Sequence, residues 1–407
     1  MKNYNPDFLI IGAGIIGLTL AKHLIEFFPN AKIIIIEKEP DVAFHSSGRN
    51  SGVLHAGFYY TADSLKAKFT KEGNEAWRKY CYENNLKINE CKKVVVAKNE
   101  EELKNIYELF YRGQKNNVPL KIIDENELND IEPIAKTYEK ALYSPLTATI
   151  DPLEICNHLK NHLIQKNVIF LFDEPFIKRK KNYIQTKRYK IHPNKVINCG
   201  GLYADKIAKQ FGFSKNYTIL PFKGIYLKYT SKDHPLKTNI YPVPNLKNPF
   251  LGVHFTITVN QEIKIGPTAI PAFWRENYRG MNHFKINECI PILVKEAQLF
   301  AKNSFGFRKL AIEEIKKYHK NYFLRLAAQL IKQDKIDFAK FNQWSIPGIR
   351  AQLLNLKTNE LIQDFIIEGD EFSIHILNAV SPAFTAAIPF TKYIIKNLVH
   401  CNSSATL

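Results

Sequence analysis

"DFLIIGAGIIGLTLAKHLIEFFPNAKIIIIEKE", Asp7 to Glu39, decides the fold. Asp7 to Ile11 is short, apolar and closed by Gly, the pattern of a parallel strand buried on both faces. Gly12, Gly14 and Gly17 follow as G-x-G-x-x-G, and Ile15 to Phe28 carries helical apolar spacing. Ala31 to Ile36 is a second, β-branched strand that ends on Glu37. Each residue has a physical task. Gly12 permits a tight turn, Gly14 lets a pyrophosphate approach the backbone, and Gly17 lets the helix pack close to the strand. The helix opens at Ile15 and Ile16, and its N-terminus favours anionic charge. Glu37, with Lys38 beside it, stands where an adenosine ribose would offer its hydroxyls. Strand, helix, strand and terminal acid in register read as a dinucleotide site.

Such a unit serves NAD or FAD equally, and no second Gly fingerprint follows. The next stretch, "HSSGRNSGVLHAGFYY" from His45 to Tyr60, separates them. Where a nicotinamide enzyme would start another helix, the chain offers Ser46, Ser47, Gly48, Arg49, Asn50, Ser51 and Gly52. These are donors and bare backbone suited to lying along an extended cofactor. They favour FAD, whose ribityl chain and ring need contacts well beyond the first βαβ unit.

At 407 residues the chain is long enough for two domains. No run of eighteen apolar residues occurs, so no transmembrane helix is expected. The N-terminal apolar run passes straight into the Gly motif without a cleavage site, so a cytoplasmic protein is expected. Six scattered cysteines (Cys81, Cys91, Cys156, Cys199, Cys289 and Cys401) show no metal-ligand spacing, and no metal is expected. The formal charge of +18 suits nucleic acid, an anionic membrane or an acidic substrate. The densest basic run, Ile177 to Lys190, reads as an exposed hairpin. It contains only Tyr183 and Tyr189 for base stacking, and no nucleic-acid partner is expected.

"HSSGRNSGVLHAGFYYTADSLKAKFTKEG" closely resembles the L-2-hydroxyglutarate dehydrogenase/oxidase family, within the D-amino-acid-oxidase-like FAD enzymes. The resemblance recurs in "NIYPVPNLKNPFLGVHFT" and "IGPTAIPAFWRENYR" between Asn239 and Arg279, in "PGIRAQLLN", in "DFIIEG", and in "HILNAVSPAFTAAI" from His375 to Ile388. Before "PGIRAQ" the chain reads "FNQWSI", where the family tends towards Gly-Pro-Ala. The resemblance implies FAD-dependent oxidation of a small-molecule 2-hydroxy acid, L-2-hydroxyglutarate, with electrons passed to a quinone-type acceptor or oxygen. Relatives acting on an amino acid or glycerol-3-phosphate are the alternative, and a nucleic-acid-binding flavoprotein that modifies tRNA ranks below them.

The expected fold is α/β: a discontinuous Rossmann-like FAD-binding domain with a second α+β substrate domain built on an antiparallel sheet. The first would comprise residues 1–74, 146–212 and 347–407, the second 75–145 and 213–346. Lys285 to Lys335 is helical, apolar and basic. Ordinary core helices are its first reading, and an amphipathic pair resting on the cytoplasmic face of a membrane is the second.

Oxidising a 2-hydroxy acid requires a base for the hydroxyl proton and cations for the carboxylates. His55, His254 and His375 compete as base, with His55 favoured and His254 next. By resemblance, Arg350 grips the α-carboxylate from a Gly-x-Arg turn that begins at Gly348. Tyr60 and Tyr241 are hydroxyl donors or lids, and Lys223 and Arg275 are the charged options for a distal carboxylate. Relatives also place Cys199 and Gly200 over the adenine side of the cofactor, and Ser381, Pro382, Ala383 and Thr385 at the flavin pyrimidine end, where a helix N-terminus would stabilise negative charge.

Overall fold

The computed structural model describes residues 2–231, 233–245 and 250–400. Leu246 to Pro249, inside the middle family-like block, lie outside the described residues, as do Cys401 and the rest of the expected C-terminal segment.

The chain divides into two compact units, Met1–Arg49 with Pro152–Pro221 and Arg350–Leu407, and Asn50–Asp151 with Phe222–Ile349. The first crossing comes at Arg49, well before the expected boundary at residue 74. Backbone pairing explains the difference: Val53 and Leu54 pair with Thr149 and Ala148, and the buried Asn74 amide donates to the carbonyls of Leu54 and His55. The other crossings, at 151/152, 221/222 and 349/350, fall within nine residues of those expected.

The first unit is built on a six-stranded sheet, in the order Ile169–Leu171, Ile33–Ile36, Phe8–Ile11, Lys195–Asn198, Ser373–Ile376 and Ile367–Gly369. All neighbours run parallel except the last pair. Strands covered on both faces should be apolar throughout, and each of the four isoleucines Ile33–Ile36 is at most 2 % exposed. Each such side chain contributes roughly 1.5–3 kcal/mol by leaving water. The helix Ile15–Phe27 buries Leu18, Leu20, Ala21 and Leu24, and it packs on the C-terminal helix Ala383–His400. The basic run Lys178–Lys190 lies in a small sheet beside the strand Lys2–Tyr4. Both of its arginines have partners within the unit: Arg188 pairs with Glu174, and the Arg179 guanidinium lies 4.7 Å from the Phe211 ring.

The second unit centres on an eight-stranded sheet, in the order Phe341–Trp344, Leu227–Tyr229, Ile263–Gly266, His254–Ile257, Asn239–Pro242, Lys93–Val96, Lys140–Ser144 and Lys121–Asp124. The expected antiparallel arrangement holds except at one seam, where Asn239–Pro242 runs parallel to Lys93–Val96. Alternation splits the side chains between two cores. Val94, Val96, Ile240 and Phe255 join one, while Val95, Leu142 and Tyr241 join the other, with Phe58 and Tyr59. The basic apolar stretch forms the helices Ile286–Lys302, Phe307–Lys316 and Lys320–Ala328. No helix among the described residues is long and apolar enough to cross a membrane.

Candidate active site

In the first unit the glycine turn is built as the fingerprint requires. Gly12 has φ +105°, and a Cβ there would stand 2.6 Å from the Cys199 carbonyl oxygen. A Cβ on Gly17 would stand 2.1 Å from the Gly12 oxygen, so helix and turn meet at a distance only glycine allows. Around Gly14 the nearest atom is the Ser47 hydroxyl, 3.0 Å from a built Cβ. The helix begins on Gly14 without a capping side chain of its own and without an acid in its first turn. Its positive end is therefore not neutralised from within the helix, which suits a pyrophosphate.

Two longer reaches close this cradle. The Ser47 hydroxyl accepts from the Ile15 amide at 2.9 Å, and the Glu37 carboxylate accepts from the Ala13 amide at 2.8 Å and from the Glu39 amide at 3.0 Å. Two single bonds leave acceptor capacity on Glu37 for ribose hydroxyls. Glu39 is a residue that motif reading misses. It accepts from His45 at 2.8 Å and from Lys38, and the His45 hydrogen bond is the largest influence holding its carboxyl down at about 2. Its signal was the acid six residues before a His at the head of the polar loop.

The remaining candidates of this unit sit on its strands, turns and C-terminal helix. The Cys199 amide bonds the Ile11 carbonyl at 2.9 Å, and burial pushes its thiol up out of the reactive range. The Gly200 amide donates to the Asn198 side chain. Ser46 lies in the turn that returns at Arg49, and the Arg49 guanidinium donates to the Phe44 carbonyl at 2.7 Å. Arg350 is half-buried, third in the strand Gly348–Asn355 that Gly348 opens. Ser381 and Pro382 lead into the helix that begins at Ala383, with Thr385 buried in its first turn. His375 has both ring nitrogens engaged: Nδ1 accepts from the Asn198 amide at 3.1 Å, and Nε2 donates to the Ser373 hydroxyl at 3.1 Å. Packed beside Phe211 and Phe213 and desolvated, it is held neutral with its pKa lowered to about 4. That arrangement leaves neither nitrogen open to a substrate.

In the second unit a single loop carries Asn50, Ser51, Gly52, His55 and Tyr60. Asn50 caps its own turn by accepting from the Gly52 amide at 2.8 Å. Two asparagines not anticipated from sequence hold the loop between Leu54 and Tyr60. Asn74 donates to the carbonyls of Leu54, His55 and Leu146, and Asn116 donates to those of Gly57 and Tyr60. Their signal was weak, since an Asn within or at the end of a helix is ordinarily a solvent-facing or capping residue. His55 is 8 % exposed, at the centre of this pinned segment.

On the neighbouring sheet, Tyr241 and His254 face each other across adjacent antiparallel strands, their rings 3.6 Å apart and 17° from coplanar. His254 Nδ1 lies 2.9 Å from the Gly252 carbonyl oxygen. A carbonyl only accepts, so Nδ1 carries the hydrogen and the lone pair of the neutral ring is on Nε2. Lys223 is buried and donates to Asn277 at 3.2 Å, with its pKa lowered by burial, and Arg275 is also buried. Lys93, beneath Tyr241, was missed. A Lys heading the apolar run "KVVVA" in a strand paired on both edges was the available signal.

The family model for FAD dependent oxidoreductases (DAO) matches residues 7–389. The chain is 32% identical to L-2-hydroxyglutarate dehydrogenase, mitochondrial, of Dictyostelium discoideum, over 96% of this chain and 91% of that protein. It is 31% identical to L-2-hydroxyglutarate dehydrogenase of Escherichia coli K12, over 96% and 93%. Among solved structures, the L-alpha-glycerophosphate oxidase of Mycoplasma pneumoniae superposes with a TM-score of 0.73 at 20% identity, covering 97% of this chain and 95% of that one. The glycine oxidase of Geobacillus kaustophilus gives 0.71 at 15% identity, covering 99% and 97%.

Proposed function

Because the chain belongs to the DAO family of FAD-dependent oxidoreductases, with FAD as its cofactor, we propose that it oxidises L-2-hydroxyglutarate to 2-oxoglutarate. The observation that carries this reading is the near-full-length likeness to proteins named for that dehydrogenation. The residues present fit the cofactor: the side-chain-free backbone at Gly14, the acid-free helix start and the spare acceptor capacity of Glu37 suit its pyrophosphate and ribose.

The alcohol loses a hydride from C2 and a proton from its hydroxyl. Bound FAD supplies the hydride acceptor. Arg350 would fix the α-carboxylate through paired N–H bonds, so that the C2–H is held in one orientation. His254, with its lone pair on Nε2, is the group best prepared to take the hydroxyl proton, and His55 is the second candidate. Tyr241 and Tyr60 would bound the substrate, and Lys223 or Arg275 would meet the distal carboxylate. A quinone or oxygen then takes the electrons.

For the quinone route we read the second unit's helices as a peripheral membrane contact on the cytoplasmic face. Ile286, Ile290, Leu293, Val294, Phe300, Ile312 and Ile315 are all at least 42 % exposed. Lys285, Lys295, Lys302, Lys309 and Lys316 accompany them, the mixture an anionic lipid surface attracts. Salt-sensitive flotation with anionic liposomes tests this contact.

Anaerobic titration tests the reaction. L-2-hydroxyglutarate should bleach the flavin band and the D-isomer should not. A band untouched by the L-isomer but bleached by an amino acid or glycerol-3-phosphate would reassign the substrate.

A further inference from the structure

Lys93 occupies the seam of the eight-stranded sheet, in register with Asn239 on one side and Ser144 on the other. It is 0 % exposed, and among the described residues its Nζ has no hydrogen-bond partner. Aromatic rings surround it instead. The Nζ lies 4.0 Å from the ring centre of Tyr241, 5.2 Å from that of Tyr59 and 5.7 Å from that of Phe58. A lysine sealed among rings with no acid beside it is rare, because ring faces offset only part of the lost hydration.

The arrangement has a second half. An imidazole 3.6 Å from the Tyr241 ring centre fills one face of that phenol, so an ammonium 4.0 Å from the same centre takes the other. Lys93 and His254 therefore sandwich one ring. A cation on each face would draw on the same π density. The two charges would also repel across about 8 Å of protein interior, a distance at which the interaction is still worth a tenfold change in protonation.

We propose that Lys93 is a positioning residue for the oxidation: from the far face of Tyr241 it keeps that ring flat against His254 and keeps His254 neutral, with its lone pair on Nε2. The role of His254 as base rests on the proposed oxidation of a 2-hydroxy acid; the coupling of the two side chains does not.

Among the described residues, the titratable groups around Lys93 are Cys91, two residues before its strand, Tyr241 on the neighbouring strand and Tyr59 on the loop segment. Burial dominates and lowers its pKa to about 7, against a weaker upward pull from Cys91. A lysine that releases its proton near neutrality presents a charge to the far face of Tyr241 only below that pH. Raising the pH removes the charge from Lys93 and so removes its effect.

The test uses the flavin-loaded enzyme with labelled histidines, the His254 resonance being assigned from its loss in H254N. In K93M, which keeps most of the side-chain length and drops the charge, His254 should titrate about one pH unit higher. The acid limb of the kcat/KM profile should move with it, and K93R should restore both. An unmoved His254 titration in K93M overturns the proposal whatever the substrate is. A shifted titration with an unmoved rate profile overturns the positioning role and marks another group as the base. Should K93M not fold, wild-type enzyme decides alone: the His254 resonance must show a second inflection near neutrality, and a single-step titration overturns the coupling.

Discussion

The Glu37 carboxylate accepts the Ala13 amide at 2.8 Å, tying the end of the second strand to the glycine turn. One acid thus shapes the cradle and, in the proposed reading, would also meet the ribose. Glu37→Gln halves the acceptors and puts an NH2 group against an N–H donor. E37Q should purify with substoichiometric flavin and bind FAD about tenfold more weakly, the loss of one charge-assisted hydrogen bond. Absorbance and FAD titration of the apoprotein check this.

The three glycines should fail differently. Gly12→Ala and Gly17→Ala drive a Cβ into backbone oxygens at 2.6 and 2.1 Å, so both variants should be poorly soluble or melt several degrees lower. Gly14→Ala meets only a movable Ser47 hydroxyl. G14A should fold normally in circular dichroism yet lose FAD, because its methyl would crowd the proposed pyrophosphate position.

Removing the pin beneath the loop that carries His55 separates loop order from cofactor binding. Asn74→Ala leaves three carbonyls, those of Leu54, His55 and Leu146, without their shared donor. Stability should drop by about 1–3 kcal/mol, and kcat should fall while the flavin spectrum stays that of the wild type. Thermal melting with steady-state kinetics separates the two effects.

Acid should weaken the first unit through two buried histidines. His375 and His23 each have a pKa lowered to about 4 from 6.5, chiefly by burial, and His23 Nδ1 bonds the Thr391 hydroxyl at 2.9 Å. Between those values the unfolded chain binds protons that the fold refuses. The native state is therefore fully favoured above about pH 6.5 and loses stability as pH falls towards 4. Flavin release followed by fluorescence should begin in that window. H375Q, neutral throughout, should lower its midpoint by about half a pH unit.

Glu296 should act in the opposite direction. Buried in the helix Ile286–Lys302, its carboxyl is raised from 4.5 to about 8 by desolvation. The fold holds a proton there that the unfolded chain has released, so stability declines as pH rises through that interval. E296Q should melt roughly 2–4 °C higher than wild type at pH 8.5 and nearly level with it at pH 5. Scanning calorimetry at the two pH values is sufficient.

Much of the cofactor side was legible because it is local. Strand, turn, helix and acid lie within about thirty residues, and each glycine answers a contact that a Cβ would violate. Flavin chemistry was legible from the polar loop and the family-like blocks. The proposed substrate side was less so, since its contacts join distant segments. Nothing near Asn74 announces that it holds the His55 carbonyl, and nothing near Lys93 announces that Tyr241 covers it. His375 shows the converse. Its place in a conspicuous block made it a candidate base, but engaged nitrogens and two flanking phenyl rings are visible only in three dimensions.

The one parallel seam in the second unit's sheet bears on how the polypeptide matures. Lys93 must wait for Asn239, about 150 positions further along, before the inner edge of its strand is covered. During synthesis the early hairpins therefore stand with a naked edge while the intervening nucleotide-binding segment emerges. Chaperone dependence should concentrate in that interval.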